Sequence, residues 1–294
     1  MVGRSTMTDE NRLLRSLMRT ARRLFRNTPV QQWSLTTRVY KFVARRAFKD
    51  DFVNVPFRGI TIMYPGGDHT TLPSLVEGYY EKTEIDHVVE FLDALTAPVT
   101  AYDIGANVGI WTCLLARHPL VKSVVAFEPS QENLDLLRAN LDLNGCTGKV
   151  TVVEAAVSNR DGVVKFLEAG SGATRRIASD DGAVSISVDV VRLDTFAKSH
   201  NEMPGLVKVD VEGFEPHVIE GMRSIIHQCM PALLLEYSLI QSDSAGTSWD
   251  DVGPWLTQEY GTVQILDDAG VRTASDFSAL KSDKRLLNLF FSRS

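Results

Sequence analysis

Cysteine is scarce and forms no pattern. The 294 residues hold three, Cys113, Cys146 and Cys229, widely spaced and without a CxxC pair. This argues against a disulfide framework and against a zinc site. Long apolar runs are also missing: nothing approaches the roughly 18 to 20 consecutive apolar residues of a membrane-spanning helix. The arginine-rich start likewise lacks the apolar core of a secretory signal. These absences predict a cytoplasmic protein. With 44% hydrophobic and 23% charged residues, collagen, coiled coil and wholesale disorder are excluded, and the length suits one large domain plus an appendage. No internal repeat is present.

Basic residues are sparse in most of the chain and crowded at one end. Residues 1–50 carry 12 Lys and Arg against 3 Asp and Glu, whereas the remainder carries 19 against 34. From Arg12 to Arg26, Leu13, Leu14, Leu17, Met18, Ala21, Leu24 and Phe25 recur at helical spacing with arginines opposite. A basic amphipathic helix is expected there, followed by a weaker one from Thr36 to Phe48. Its apolar face can pack on the body or on a second subunit of a homo-oligomer, or lie in a membrane interface as a peripheral contact. A nucleic-acid arm is disfavoured, because aromatic interleaving and nucleic-acid motifs are absent and the body is acidic.

Residues 52–74 are rich in Pro and Gly around a short alternating stretch, Ile60 to Tyr64, which reads as a small hairpin or lid. A helical pattern runs from Val76 to Leu95. Strand-like runs follow at 100–104, 123–127, 150–153, 206–211, 232–236, 262–266 and 286–291, with helical patterns between several of them. Alternation of this kind predicts a parallel α/β sheet. Residues 163–167 and 185–191 look like added strands flanking a Gly/Ser-rich loop, Ala169 to Gly182. The division expected is a basic helical extension over 1–50, a lid and helical lead-in over 51–98, and the main domain over 99–294.

The first strand runs into Asp103-Ile104-Gly105-Ala106-Asn107-Val108-Gly109-Ile110. A dinucleotide fingerprint starting at Gly105 needs glycine at 107 and 110, where Asn107 and Ile110 stand. A carboxylate just before the turn repels a pyrophosphate but suits an ammonium group. The second strand ends in Phe127-Glu128-Pro129, and an acid there is placed to accept ribose hydroxyls. S-adenosylmethionine, with a cationic amino-acid end, a ribose and no phosphate, satisfies both acids.

Four motifs in order carry a resemblance: Asp103 to Gly109; Phe127-Glu128-Pro129 with Asn133-Leu134 and Leu137-Arg138-Ala139-Asn140; Val188 to Phe196; and Val207-Lys208-Val209-Asp210-Val211-Glu212-Gly213-Phe214-Glu215. Over about residues 75 to 240 the chain resembles the FkbM-type methyltransferase family. The resemblance implies a class I methyltransferase fold, Rossmann-like, with a seven-stranded mostly parallel sheet whose last strand is antiparallel. It also implies methylation of hydroxyl groups on natural products, sugars or glycolipids. It places Asp103, Gly105, Asn107 and Gly109 at the methionine end of the cofactor, Glu128 with Pro129 at the ribose, and Glu154 and Ala155 at the adenine edge.

Val207, Val209 and Val211 alternate with Lys208, Asp210 and Glu212, which is unusual for a central parallel strand. An aliphatic hydroxyl is a poor nucleophile, and a carboxylate or imidazole that accepts its proton helps methylation. Asp210 is the first candidate for that base, with His217 as the alternative. Glu212 is counted with them, and Glu236 is expected to face the same cleft. A Lys208 ion pair that merely orders the strand end is the plainer account. Positioning or ligation of a divalent cation by Asp210, Glu212 and Glu236 is a third possibility. Two other functions remain: a nicotinamide-dependent oxidoreductase, and a non-catalytic protein that only binds the cofactor.

Overall fold

A computed structural model describes residues 52–66, 68, 71–167, 185–267, 269–280 and 283–293. The basic segment over 1–50 and the Gly/Ser-rich loop over 169–182 lie outside the described residues. The chain divides into two compact units at Lys82/Thr83. In the first, β1 (Phe52–Phe57) and β2 (Ile60–Pro65) form the expected hairpin, paired antiparallel from Phe57↔Ile60 to Phe52↔Pro65. Arg58 and Gly59 both take positive φ, which gives a two-residue turn matched to strand twist. Asp68 then starts α1 (Thr71–Glu77) by accepting a hydrogen bond from the Thr71 N–H at 2.8 Å. The single helix expected over 76–95 is two, α1 and α2 (Lys82–Asp93). The helix breaks between them because Gly78 and Glu81 have positive φ, which no right-handed helix continues through.

The second unit contains, in order, β3 (Val99–Ile104), α3 (Ile110–Arg117), β4 (Val121–Phe127), α4 (Gln131–Asn144), β5 (Val150–Val153), β6 (Ala156–Ser158), β7 (Gly162–Leu167), β8 (Ser185–Arg192), α5 (Leu193–His200) and β9 (Leu206–Val209). It continues with α6 (Glu215–Glu220), α7 (Arg223–Cys229), β10 (Ala232–Tyr237), α8 (Leu239–Ala245), α9 (Val252–Tyr260), β11 (Val263–Asp267), β12 (Gly270–Ala274) and β13 (Leu287–Phe291). The main sheet has the order β12-β11-β13-β10-β9-β3-β4-β5. Strands β5, β4, β3, β9 and β10 run parallel, and β13 is antiparallel between β10 and β11. The class I methyltransferase arrangement, α/β with an antiparallel last strand, is therefore present, with eight strands rather than seven. The eighth, β12, is an edge strand exposed at Val271, Arg272 and Thr273. Without a buried face it has no alternation to betray it.

β7 and β8 pair antiparallel in a separate three-stranded sheet, as the flanking-strand reading expects, with β6 parallel to β8. Buried aromatic residues fill the main core. The Tyr102, Phe127 and Phe196 rings meet edge-on at 5.0 to 6.1 Å between centroids. Gly145 ends α4 in the left-handed conformation. Ser130 holds the N-cap position of that helix, yet its hydroxyl makes no capping bond. Among the described residues no helix is long and apolar enough to cross a membrane.

Candidate active site at the strand ends

In the sheet order, β4 and β5 lie on one side of β3 and β9 and β10 on the other, so the chain reverses its winding at β3. Ligands of open α/β sheets bind beyond the carboxyl ends of strands at such a point. The turn after β3 is tied on both sides. The Gly105 and Ala106 N–H groups donate to the Phe127 carbonyl at 3.0 Å, and the Asp210 N–H donates to the Ile104 carbonyl at 3.1 Å. Gly105 has φ +77°, and a Cβ on it would stand 1.9 Å from the Asp210 carbonyl oxygen. Only glycine lets the end of β9 close against this turn.

Asp103, the last residue but one of β3, is fully buried. Its Oδ2 accepts a hydrogen bond from the Thr112 hydroxyl of α3 at 2.6 Å, while its Oδ1 accepts none and lies 3.8 Å from the Lys208 Nζ. Burial pushes this carboxyl up, against Lys208 and Thr112, which pull it down. Asn107 takes φ 51° and donates its N–H to Glu128 Oε2 at 2.9 Å. Glu128 Oε1 accepts from the Ser130 N–H at 2.9 Å and from Asn133 Nδ2 at 3.1 Å. A carboxylate has about four acceptor positions, so capacity remains after these three bonds. Burial raises Glu128 as well, with the same three donors opposing. Asn140 fastens the turn from α4, its Nδ2 donating to the Val108 carbonyl at 2.8 Å.

The remaining cofactor candidates fall nearby in unequal states. Gly109 is buried at the N-cap of α3, and Pro129 is half-buried after Glu128. Ala155 is buried beside Glu128, because both the Ala155 and Glu128 N–H groups donate to the Val153 carbonyl, at 3.0 and 3.1 Å. Glu154 is exposed and ion-paired with Arg138 of α4, an arrangement worth little in water.

Beyond β9 the chain leaves the ladder after Val209 rather than at Val211. The physical cause is Glu215, a residue buried in the first turn of α6. Its Oε1 accepts from the Val211 N–H at 2.8 Å, and its Oε2 accepts from the Gly213 N–H at 3.0 Å. The backbone from Asp210 to Gly213 therefore serves Glu215 and β3 instead of β10. Lys208, buried on β9, places its Nζ 3.1 Å from Asp210 Oδ2. Glu212 takes φ 55°, and its Oε2 accepts from Gln241 Nε2 of α8 at 2.6 Å. Glu236, on β10 just past the Leu235↔Val209 pair, sits beside the same turn. His217 stands apart: its ring centroid is 6.1 Å from that of Phe214, and it makes no hydrogen bond with Asp210. Among the described residues no group of three or more His, Cys, Asp and Glu is arranged to hold a metal ion.

These buried acids give stability a pH dependence of definite sign. Glu215 is pushed up to about 7, chiefly by burial, with the backbone N–H donors opposing and Asp210 adding to the rise. Glu236 is raised further, first by burial and then by Asp210, Glu215 and Glu212. A folded carboxyl that holds its proton more tightly than the unfolded one stabilises below the unfolded value near 4.5, and that stability is lost as pH climbs. Urea midpoints should therefore fall from pH 5 to pH 8, with Glu215 alone contributing on the order of 3 kcal/mol. Glu215→Gln should flatten the decline, and midpoints that rise over this range would contradict the assignment.

Three contributors carry no sequence assignment: Thr112, Glu215 and Gln241. Thr112 lies in the first turn of α3, and Glu215 four residues past Val211, so spacing offered a clue to both. Gln241 offered none, since its place depends on how α8 folds back after β10.

The Methyltransferase FkbM domain matches residues 103–263, more than half of the chain. The hexuronic acid methyltransferase AglP of Haloferax volcanii is 27% identical over 128 residues, covering 42% of this chain and 50% of that protein. The methyltransferase sdnD of Sordaria araneosa is 25% identical over 175 residues, covering 49% of this chain and 67% of the relative. The crystal structure of methyltransferase FkbM from Methylobacillus flagellatus aligns over 76% of this chain and 53% of its own, with 19% identity and a TM-score of 0.44. The match thus spans half the length of the haloarchaeal relative. With the domain matching from Asp103 of the glycine turn to Val263 of β11, the chain belongs to the methyltransferase FkbM domain family.

Proposed function

We propose that the chain is an S-adenosylmethionine-dependent O-methyltransferase acting on a hydroxyl of a sugar, glycolipid or polyketide-like metabolite. The observation that carries this reading is the fully buried Asp103 with an Oδ1 that accepts no hydrogen bond, set beside a turn with no Cβ at Gly105. A buried acceptor without a donor is costly, and a ligand ammonium supplies the donor. Glu128 keeps acceptor capacity for hydroxyls, so the two acids fit an amino-acid end and a ribose. S-adenosylmethionine, when bound, supplies the electrophilic methyl group. Asp210 then accepts the proton of the acceptor hydroxyl, and Lys208 holds its carboxylate in place. The name of the Haloferax relative specifies a hexuronic acid, which supports a sugar hydroxyl as acceptor here. Residues 1–50 fall outside the family match over 103–263, and their basic amphipathic pattern suits packing on the body or a second subunit, or docking at an anionic membrane surface.

Isothermal titration with S-adenosylhomocysteine tests the cofactor assignment. Asp103→Ala and Glu128→Ala should each weaken binding at least ~10-fold, as expected when a charged partner of a ligand hydrogen bond is removed. Unchanged affinity in both variants would sink it.

A further inference from the structure

Four buried side-chain atoms make no hydrogen bond among the described residues, and three of them lie around the ends of β3, β9 and β10: Asp103 Oδ1, Glu236 Oε2 and Gln241 Oε1. Buried polar atoms without partners are uncommon in folded proteins and call for an explanation. For Asp103 the cofactor provides one. Glu236 has none so far. It stands one position beyond the Leu235↔Val209 pair, next to Asp210. Among the described residues, the polar groups around it are acids or are already engaged. From β9 and its end come Lys208, 3.1 Å from Asp210 and 3.8 Å from Asp103, and Asp210 itself. The turn and α6 bring Glu212 and Glu215. On β13, Asn288 is opposite Glu236 in register, yet its Nδ2 donates to Glu84 of α2 at 2.9 Å. On α8, Gln241 commits its Nε2 to Glu212, which leaves its Oε1 as the atom facing no donor.

Resting on the methyltransferase reading, we propose that Glu236 is a second acceptor-contacting group, whose carboxyl donates a hydrogen bond to an oxygen neighbouring the hydroxyl that Asp210 deprotonates. Two acids side by side divide the work: Asp210, 3.1 Å from Lys208, accepts, and Glu236, which makes no ion pair among the described residues and feels Lys208 only from a distance, holds its proton and donates. Such a division between adjacent carboxyls is a general way of assigning acid and base roles. The direction of the Glu236 shift, upward through burial and three neighbouring acids, agrees. Gln241 Oε1 adds an acceptor for the hydrogen of the same neighbouring oxygen. The site therefore favours an acceptor with vicinal hydroxyls over one with an isolated alcohol or an anionic group at that position.

Infrared difference spectra of protein carrying ¹³C-labelled glutamate test the proton directly. Above pH 8, where Glu215, pushed up to about 7, is ionised, a protonated carboxyl band should remain, shift with the label and be lost in Glu236→Gln. Transfer of labelled methyl to the acceptor found in a cell extract tests the contact. Glu236→Leu should lose roughly tenfold or more, as for a lost substrate hydrogen bond, while Glu236→Gln, whose amide can still donate, stays within about fivefold. S-adenosylhomocysteine affinity should be unchanged in both. Absence of the band, or wild-type transfer by Glu236→Leu, overturns the proposal. Failure of wild-type protein to bind S-adenosylhomocysteine would instead defeat the methyltransferase reading on which it rests.

Discussion

Asp210→Asn should cut methyl transfer by at least ~10²-fold, the usual contribution of a positioned general base, while affinity for S-adenosylhomocysteine stays within about threefold. Asp210 is the first residue past β9, its N–H is held by the Ile104 carbonyl at 3.1 Å, and its Oδ2 is 3.1 Å from Lys208 Nζ. Asparagine preserves the backbone bond and the shape of the side chain but cannot take a proton. Because its backbone also packs on Gly105, a larger substitution would confound chemistry with folding, which is why the isosteric change is the informative one. Labelled methyl transfer and titration calorimetry on the same preparation separate the two effects. Near-normal transfer by Asp210→Asn would remove the base role from this residue and leave His217 or solvent to serve.

Gly105→Ala should destabilise the fold by roughly 3 kcal/mol or more, in the range of strained or overpacked core substitutions, and should abolish cofactor binding in whatever remains folded. Two costs add. A residue with a Cβ at φ +77° costs about 1–2 kcal/mol, and the new Cβ meets the Asp210 backbone carbonyl at 1.9 Å. Both strands are central, so no flexible side chain can yield. Gly145→Ala is the matched control. Gly145 has φ +64° at the end of α4, with nothing within 4 Å of the added Cβ, and its cost should be about 1 kcal/mol. Equal losses for the two variants in urea unfolding would show that the close approach of β3 and β9 contributes nothing.

The parts of the site legible in the sequence share one property: they follow from neighbours along the chain. Asp103 through Gly109 reads as a ligand-binding turn because glycine and an acid stand at defined offsets from a strand. Glu128 is similarly marked by ending the next strand. The alternation of charge at Lys208, Asp210 and Glu212 was equally plain, and its meaning was divided between chemistry and an ion pair. The structure shows that the ion pair exists and that it reaches two acids, Asp103 and Asp210. The end of β9 was misplaced by two residues because Val211 has a strand-like side chain, whereas its N–H answers to Glu215. The break at Gly78 was hidden under a continuous apolar pattern, and β12 was missed because an exposed edge strand has no buried face.

Chain-local physics thus accounts for the α/β class, the glycine turn and the acids that end β3, β4 and β9, since periodicity, turn chemistry and backbone reach all act over a few residues. The partners of those acids required folding. Thr112, Glu215 and Gln241 acquire their partners, and Glu236 its acidic surroundings, from distances between elements, because burial removes water, and a carboxyl then depends on whichever donor or cation the packing brings near it.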